Sequence, residues 1–133
     1  MTELTFIQIL EVMPGLQQLA QINMTLKQSY DIGRVLRKIG AKFDEYNKLR
    51  DAKVRELGVE QADGTYQPLE GERDNIKEQL LELGETSIEL DIEPIPFTTL
   101  EAIEANWKQA NPDTEASLFT PGILASIDHI ITL

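Results

Sequence analysis

Residues 29–57, SYDIGRVLRKIGAKFDEYNKLRDAKVREL, contain the pattern that decides the fold. Apolar residues recur there at steps of four and three, which places them on one helical face: Ile32, Leu36, Ile39, Phe43 and Tyr46. At about 1.5 Å per residue, such a helix is roughly 43 Å long. This length exceeds the width of a small domain, so we predict that the far end protrudes, with Gly58 as its C-cap.

A second helix is predicted to fold back on the first. The connector over residues 58–67 is polar, and its Asp63-Gly64 pair predicts a tight turn. Pro68 fits the first position of a helix over residues 68–83, with Gly84 as its cap. Because a short loop makes consecutive helices antiparallel neighbours, we predict a helical hairpin arm over residues 29–83.

Charge is unevenly distributed along the chain. Between Arg34 and Arg55 lie eight basic and three acidic residues, a net of +5. Since the whole chain of 133 residues carries a net charge of −11, the remaining segments carry −16. The basic helix is therefore expected to pack against the acidic second helix. Exposed ion pairs contribute only about 0–1 kcal/mol each, so the sign pattern mainly selects which helices pair.

Two short segments alternate between apolar and polar residues. In residues 21–27, Ile22, Met24 and Leu26 fall on one face, which predicts a half-buried strand, although a continuous helix through this stretch is the alternative. Residues 87–96, SIELDIEPIP, alternate more strictly and end at two prolines. Both segments adjoin the hairpin, so we expect them to pair antiparallel at its base.

Shorter helices complete the predicted base of the arm. Residues 3–13 read as a helix broken by Pro14-Gly15. Residues 16–20 are a candidate for one or two further helical turns, because proline is tolerated at a helix start. Thr98-x-x-Glu101 predicts a capping box, and Thr120 with Pro121 opens a last helix whose apolar side extends to Ile130 and Ile131. The predicted fold is mainly α with a small β-ribbon (α+β). It forms one domain, with a base of residues 1–28 and 84–133.

No motif for catalysis or metal binding stands out. The chain has no cysteine and one histidine, His129, which excludes the usual zinc sites and favours a structural role for that side chain. Glu89, Asp91 and Glu93 share one strand face, a pattern typical of a solvated surface rather than of a catalytic carboxylate pair. We therefore predict a non-enzymatic protein with no catalytic residue, cofactor, metal or small-molecule substrate.

Composition also restricts the partners. A net charge of −11 disfavours direct binding to nucleic acid or to anionic membranes. No apolar run approaches the roughly 18–20 residues that span a bilayer, and the N-terminal MTELTFIQILEVMPG lacks the basic region of a secretory signal. The expected partners are proteins, and the expected location is intracellular.

Two pairs of residues are candidates for contact with a partner. Gly33 and Gly40 are seven apart in the long helix, so they share a face. Each costs up to about 1 kcal/mol relative to Ala, which suggests close approach of another helix, from this chain or from a second subunit. Tolerated glycines under a covering domain are the alternative. Val59 and Tyr66 flank the hairpin turn and are candidate tip contacts, with an exposed solvated loop as the alternative.

The order of these elements resembles a family of small uncharacterised proteins from tailed bacteriophages and prophages. The resemblance covers about residues 22–133. It rests on INMTLKQSYDIGRVLRKIGAKFDEYNKLRDAKVRELG, on IKEQLLELGETSIELDIEPIPFTTLEAI and on the closing LFTPGILASIDHIITL. The EANWKQANPDTEA segment and the Pro94/Pro96 pair depart from the family pattern. The resemblance implies phage origin and no nameable enzyme activity.

Together these features predict a phage protein that acts by protein–protein interaction in virion structure or assembly. Its expected partner is itself or a phage structural protein, and its expected location is the host cytoplasm or the virion. The alternative is an acidic inhibitor that mimics nucleic acid and blocks a host nuclease or defence complex. Such mimicry requires a continuous band of carboxylates on one face, uninterrupted by cations.

Overall fold

The computed structural model describes residues 2–69 and 71–133. Its helices and strands, in chain order, are β1 Thr2–Thr5, α1 Phe6–Ala20, α2 Leu26–Leu57, β2 Gly58–Glu60, β3 Tyr66–Pro68, α3 Arg73–Glu85, β4 Ser87–Leu90, β5 Ile95–Pro96, α4 Phe97–Ala110, α5 Pro121–Ile127, a 3₁₀ turn Asp128–Ile130, and β6 Ile131–Thr132. Helices dominate and the strands are short. The predicted class, mainly α with small β-ribbons, is confirmed.

The first helix differs from its prediction at both ends. Residues 2–5 form β1, and α1 begins at Phe6 behind a capping box formed by Thr5 and Gln8. The predicted break at Pro14-Gly15 is wrong, because α1 continues through it to Ala20. The hydroxyl of Ser126 in α5 completes the hydrogen bonding of α1 at this point.

The predicted strand over residues 21–27 is wrong. Thr25 and Gln28 form a capping box that starts α2 at Leu26, so the alternating apolar residues lie in a loop and the first turn of a helix. Ile22 and Met24 still pack against the core. A capping box satisfies two backbone N–H groups with side chains three residues away, whereas a strand this short needs a partner strand.

Helix α2 is unbroken, as predicted, and its apolar face is the predicted one. Ile32, Ile39 and Tyr46 are buried, and Leu36 and Phe43 are half-buried against the core. Most of this face is covered by α1 rather than by α3. The rings of Phe6 and Tyr46, for example, lie 5.5 Å apart at an interplanar angle of 41°.

The connection from α2 to α3 is an antiparallel ribbon. β2 pairs with β3, and the Asp63-Gly64 turn between them is confirmed, with Gly64 at φ +85°. Pro68 does not begin a helix, because it is the last residue of β3 and pairs with Gly58, and α3 starts only at Arg73. Gly58 ends α2, but in an extended conformation that leads directly into β2.

Gly84 is not the cap of α3 but a buried residue inside it; the helix ends at Glu85 and its C-cap is Thr86. A Cβ at Gly84 would lie 2.7 Å from Cγ1 of Ile7. The glycine therefore permits close packing of α3 on α1. Beyond α3, β4 pairs antiparallel with β1, in register from Thr2–Leu90 to Thr5–Ser87. The predicted pairing with residues 21–27 is accordingly wrong.

The C-terminal third closes the core. β5 and β6 pair in parallel, with Ile95 opposite Ile131. The predicted Thr98–Glu101 capping box is wrong, because α4 begins at Phe97 with Pro96 as N-cap. Thr120 caps α5 as predicted, accepting from the N–H of Ile123 at 3.3 Å. The helix ends at Ile127, short of the predicted Ile130 and Ile131. Ile130 lies in the 3₁₀ turn, where it is buried, and Ile131 belongs to β6.

The hydrophobic core draws on α1, the first half of α2, α4 and the C-terminal elements. Its fully buried large side chains are Ile9, Val12, Leu16, Leu19, Ile39, Leu100, Ile103, Ile127 and Ile130. Among the described helices, none combines the length and apolar composition that a bilayer crossing requires.

Candidate interaction surfaces

The predicted bounds of the arm, residues 29–83, are too wide, because Ile32, Ile39 and Tyr46 of α2 and Ile76 of α3 are buried. The arm comprises residues 47–75, which are the last third of α2, the β2–β3 ribbon and the start of α3. In the described residues from 47 to 75, no residue is buried. The α2 portion, residues 47–57, is about 16 Å long, and the three-residue strands of the ribbon add about 10 Å. The arm therefore extends beyond the core and presents nearly all of its side chains to solvent.

The ribbon separates the two predicted tip residues. Val59 is 47% exposed and pairs with Gln67, whereas Tyr66 is half-buried and pairs with Glu60. Because neighbouring positions along a strand point to opposite faces, Val59 and Tyr66 lie on opposite faces of the ribbon. The guanidinium of Arg55 lies 5.8 Å from the ring centroid of Tyr66. Val59 is thus available for contact, and Tyr66 is partly covered by its own chain.

Hydrogen bonds fix the turn at the tip. The Oδ1 atom of Asp63 accepts from the backbone N–H and the hydroxyl of Thr65, at 3.1 and 2.6 Å. These two bonds hold the pKa of Asp63 below its ordinary value. The N–H of Gln61 donates to the carbonyl of Thr65 at 2.7 Å. The tip consequently has a defined conformation in which to meet a partner.

Two further apolar side chains of the arm are exposed. Leu69 follows β3, donates its N–H to the carbonyl of Leu57 at 3.0 Å, and is 43% exposed. Leu49 of α2 is 44% exposed. Single exposed apolar residues are ordinary on protein surfaces. Leu49, Val59 and Leu69 thus expose apolar side chains at separate points along the arm.

A groove of about 590 Å³ runs between α2 and α3. Its sides carry Leu49 and Lys53 from α2 and Glu78 and Glu82, among others, from α3, and Leu80 and Leu83 are partly buried within it. Helices α2 and α3 thus lie side by side but leave the apolar residues between them partly exposed.

The ion pairs do not join the basic helix to the acidic one. Within the part of the chain that the structure describes, α2 pairs with itself through Lys42–Glu45, Arg50–Asp51 and Lys53–Glu56. The expectation that opposite charges select the α2–α3 pairing is therefore not met by direct contacts. Lys38 instead pairs with Asp91 at 3.3 Å and donates to its backbone carbonyl. This contact places a cation within the Glu89–Glu93 acidic run, whereas mimicry of nucleic acid requires an uninterrupted band.

The two helix-contact candidates, Gly33 and Gly40, lie on a face that the chain itself leaves open. A Cβ at either position would meet no atom within 4 Å. Close approach of a helix of the same chain is therefore excluded, and contact with a second subunit stays a prediction. The same face begins with Leu26 and Tyr30, which are 89% and 61% exposed. The guanidinium of Arg34 lies 5.9 Å from the Tyr30 ring centroid.

A second groove, of about 530 Å³, lies between α2 and residues 91–96. Lys27, Arg34 and Lys38 line it from α2, and Asp91 and Glu93 line it from the opposite side. The α2 side also carries Asp31, so it is mainly but not wholly basic, and Lys38 already bridges the two sides by its pair with Asp91.

His129 and Ser126 lie where α5 and the 3₁₀ turn meet α1. His129 Nε2 lies 2.8 Å from a carboxylate oxygen of Glu11. The Ser126 hydroxyl donates to the carbonyl of Glu11 and accepts from the N–H of Gly15. The hydroxyl thus both donates and accepts a hydrogen bond between α5 and α1. Over residues 2–69 and 71–133, no group of three or more His, Asp or Glu residues is placed to hold a metal ion.

Known proteins offer no comparison for these surfaces. No protein-family model, no curated protein and no solved structure matches the chain.

Proposed function

We propose that this chain is a non-enzymatic protein of a tailed bacteriophage that binds protein partners through its arm during virion assembly. The observation that carries the proposal is the arm itself, in which no described residue from 47 to 75 is buried. Ordering such a segment costs about 1–2 kcal/mol of backbone entropy per residue. A partner that buries the arm offsets part of this cost.

The chemistry of the arm suits a protein partner better than a phosphate backbone. Exposed apolar side chains at Leu49, Val59 and Leu69 alternate with charges of both signs. Protein interfaces combine an apolar centre with a polar rim in this way. The fixed turn at Asp63–Thr65 reduces the ordering that binding would require. The phage context of the proposal comes from the resemblance of residues 22–133.

The test is binding of the purified chain to virions and assembly intermediates of the phage that encodes it. We expect the wild-type chain to co-sediment with at least one of these particles. Val59→Ser is expected to weaken binding about tenfold, because about 1.4 kcal/mol of apolar contact corresponds to that factor. The matched control is Leu133→Ser, which alters an equally apolar and fully exposed residue far along the chain.

Circular dichroism verifies that both variants keep the wild-type helix content. A chain that binds no particle or intermediate would refute a role in assembly. Equal binding by wild type and Val59→Ser would show that the tip is not the contact surface.

A further inference from the structure

We infer that two copies of this chain associate side by side through the groove between α2 and α3, each setting α2 beside α3 of the other. The inference rests on the proposed function, because it extends the binding surface from the arm to the adjoining groove and names a second copy as its occupant. The surface concerned is the α2–α3 groove together with the charged residues on either side of it.

The groove leaves apolar residues open to an occupant. Leu80 and Leu83 of α3 are only partly buried within it, and Leu49 of α2 is exposed at its edge. Helices are stabilised mainly by packing of their apolar faces rather than by intrinsic propensity. Leu83 also packs against the core, whereas Leu49 and Leu80 stay partly open, and a further pair of helices would cover them.

Charges of opposite sign line the two sides of this surface. Glu78 and Glu82 line the groove from α3, and both are exposed. On α2, Lys48 and Ala52 each precede a groove-lining residue by one position, so they form the adjacent stripe outside the groove. Arg55 is seven residues beyond Lys48 and shares that stripe.

These charges are not paired across the arm of a single chain. Among the described residues, no ion pair involves Lys48, Arg55, Glu78 or Glu82. Lys53, the groove-lining cation, is paired within its own helix to Glu56 at 3.0 Å. Asp51 lies between Lys48 and Arg55 on this side of α2 but is paired with Arg50, and the Arg55 guanidinium lies over the Tyr66 ring. Lys48 and Arg55 therefore have no carboxylate partner, and they and the acidic side of the groove remain available for ion pairs with a second copy.

A second copy complements both charged regions at once. In a two-fold symmetric dimer the same patch serves both partners, so each α2–α3 contact occurs twice. Rotation about an axis through the groove sets the basic stripe of one copy against Glu78 and Glu82 of the other, and the reverse. A basic helix from a different protein would match the two glutamates but leave Lys48 and Arg55 unmatched.

The test uses two charge reversals of opposite sign in the full-length chain. Sedimentation equilibrium is expected to give a dimer for the wild type. Lys48→Glu/Arg55→Glu and Glu78→Lys/Glu82→Lys are each expected to weaken it at least tenfold, because like charges then face each other. An equimolar mixture of the two variants is expected to restore a dimer. In that heterodimer, acidic α2 faces basic α3 and basic α2 faces acidic α3.

The control variant is Glu101→Lys/Glu115→Lys, which changes the net charge as the second reversal does, but at exposed residues outside the arm. It is expected to dimerise like the wild type. Helix content by circular dichroism shows that each variant is folded.

A wild-type chain that stays monomeric up to about 1 mM overturns the inference, because any dimer would then have a dissociation constant weaker than about 1 mM. So does a mixture of the two reversals that stays monomeric. A monomer that still binds phage particles removes the dimer and leaves the proposed function standing. A dimer that obeys the charge reversals but binds no particle supports the inference and counts against the assembly role.

Discussion

Ser126 belongs to α5, yet its hydroxyl completes the hydrogen bonding of α1. The N–H of Gly15 donates to Ser126 Oγ at 2.9 Å, and Ser126 Oγ donates to the carbonyl of Glu11 at 2.6 Å. The hydroxyl is thus inserted between a donor and an acceptor four residues apart, where the helix would otherwise bond to itself. This bridge lies immediately after Pro14, which has no N–H to donate. It explains how α1 continues through a predicted break.

Gly15→Ala is expected to destabilise the protein, because its Cβ would lie 2.6 Å from Ser126 Oγ and 2.7 Å from Ser126 Cβ. Overpacking of this kind costs about 1–3 kcal/mol. Urea denaturation followed by circular dichroism measures the change in the free energy of unfolding. Gly122→Ala is the matched control, since the nearest atom to its Cβ is 3.9 Å away. Equal stability of the two variants would contradict the close approach of α1 and α5.

Glu104 fixes the loop that precedes α5. Its carboxylate accepts from the hydroxyl of Ser117 at 2.6 Å and from the N–H of Leu118 at 3.1 Å. The Ser117 bond is the main reason that the pKa of Glu104 lies below its ordinary value of 4.5. The ionised carboxylate therefore binds these donors more strongly than the protonated one does.

The pH dependence follows from the sign of this shift. Because the folded pKa of Glu104 is lowered, its contribution to stability is complete above pH 4.5 and is lost as the pH falls through the folded value. Glu104→Gln is expected to lower the thermal midpoint above pH 4.5, by an amount that shrinks on acidification. Thermal unfolding at several pH values measures this. Glu101→Gln, at an exposed position, is the control. A pH-independent difference would contradict the role of the ionised carboxylate.

At the scale of elements, α2 packs with one face and leaves another open. Ile32, Val35 and Ile39 are buried, while Leu26 and Tyr30 are exposed beside two glycines with unoccupied space around them. Intramolecular packing thus gives no reason for Gly33 or Gly40. A helix of a partner could approach this face closely because neither glycine carries a Cβ.

Gly33→Ala/Gly40→Ala is expected to stabilise the isolated chain by up to about 1 kcal/mol per site, because alanine is the better helix former. Urea denaturation measures the gain. If the glycines serve a close contact with a partner helix, the same variant also loses affinity for the phage particle. A stabilised variant with undiminished binding would remove that function. A destabilised one would contradict the open space around both glycines.

At the scale of the whole molecule, burial divides the chain into a core and an arm. The described core cluster ends along α2 at Tyr46, and the next buried residue in sequence is Ile76. The intervening segment carries Leu49, Val59 and Leu69, the exposed apolar residues on which the proposed function rests, whereas the proposed dimer contact also uses α3 beyond Ile76. Stability of the core is therefore expected to be largely independent of substitutions at the arm tip, such as Val59→Ser.

Local patterns predicted the elements whose determinants are close in sequence. The five apolar residues from Ile32 to Tyr46 identified the buried face of α2, and Thr120 with Pro121 identified the start of α5. The failures occurred where signals competed. Alternation at residues 22–26 was outweighed by the Thr25–Gln28 capping box. The surfaces were anticipated in part, since Val59 is exposed as expected but Tyr66 lies on the other face of the ribbon.

The long amphipathic helix, the turn at Asp63-Gly64, the uneven charge and the mainly helical class follow from local sequence patterns alone. Each of these depends on residues within a few positions of one another, so hydrogen bonding and helical periodicity suffice. Only the tertiary structure decided that α1 passes through Pro14, that β1 pairs with β4, and that Gly84 is buried. Those outcomes depend on Ser126, Leu90 and Ile7, which are distant in sequence. Such contacts form only when the core assembles, and no local pattern encodes them.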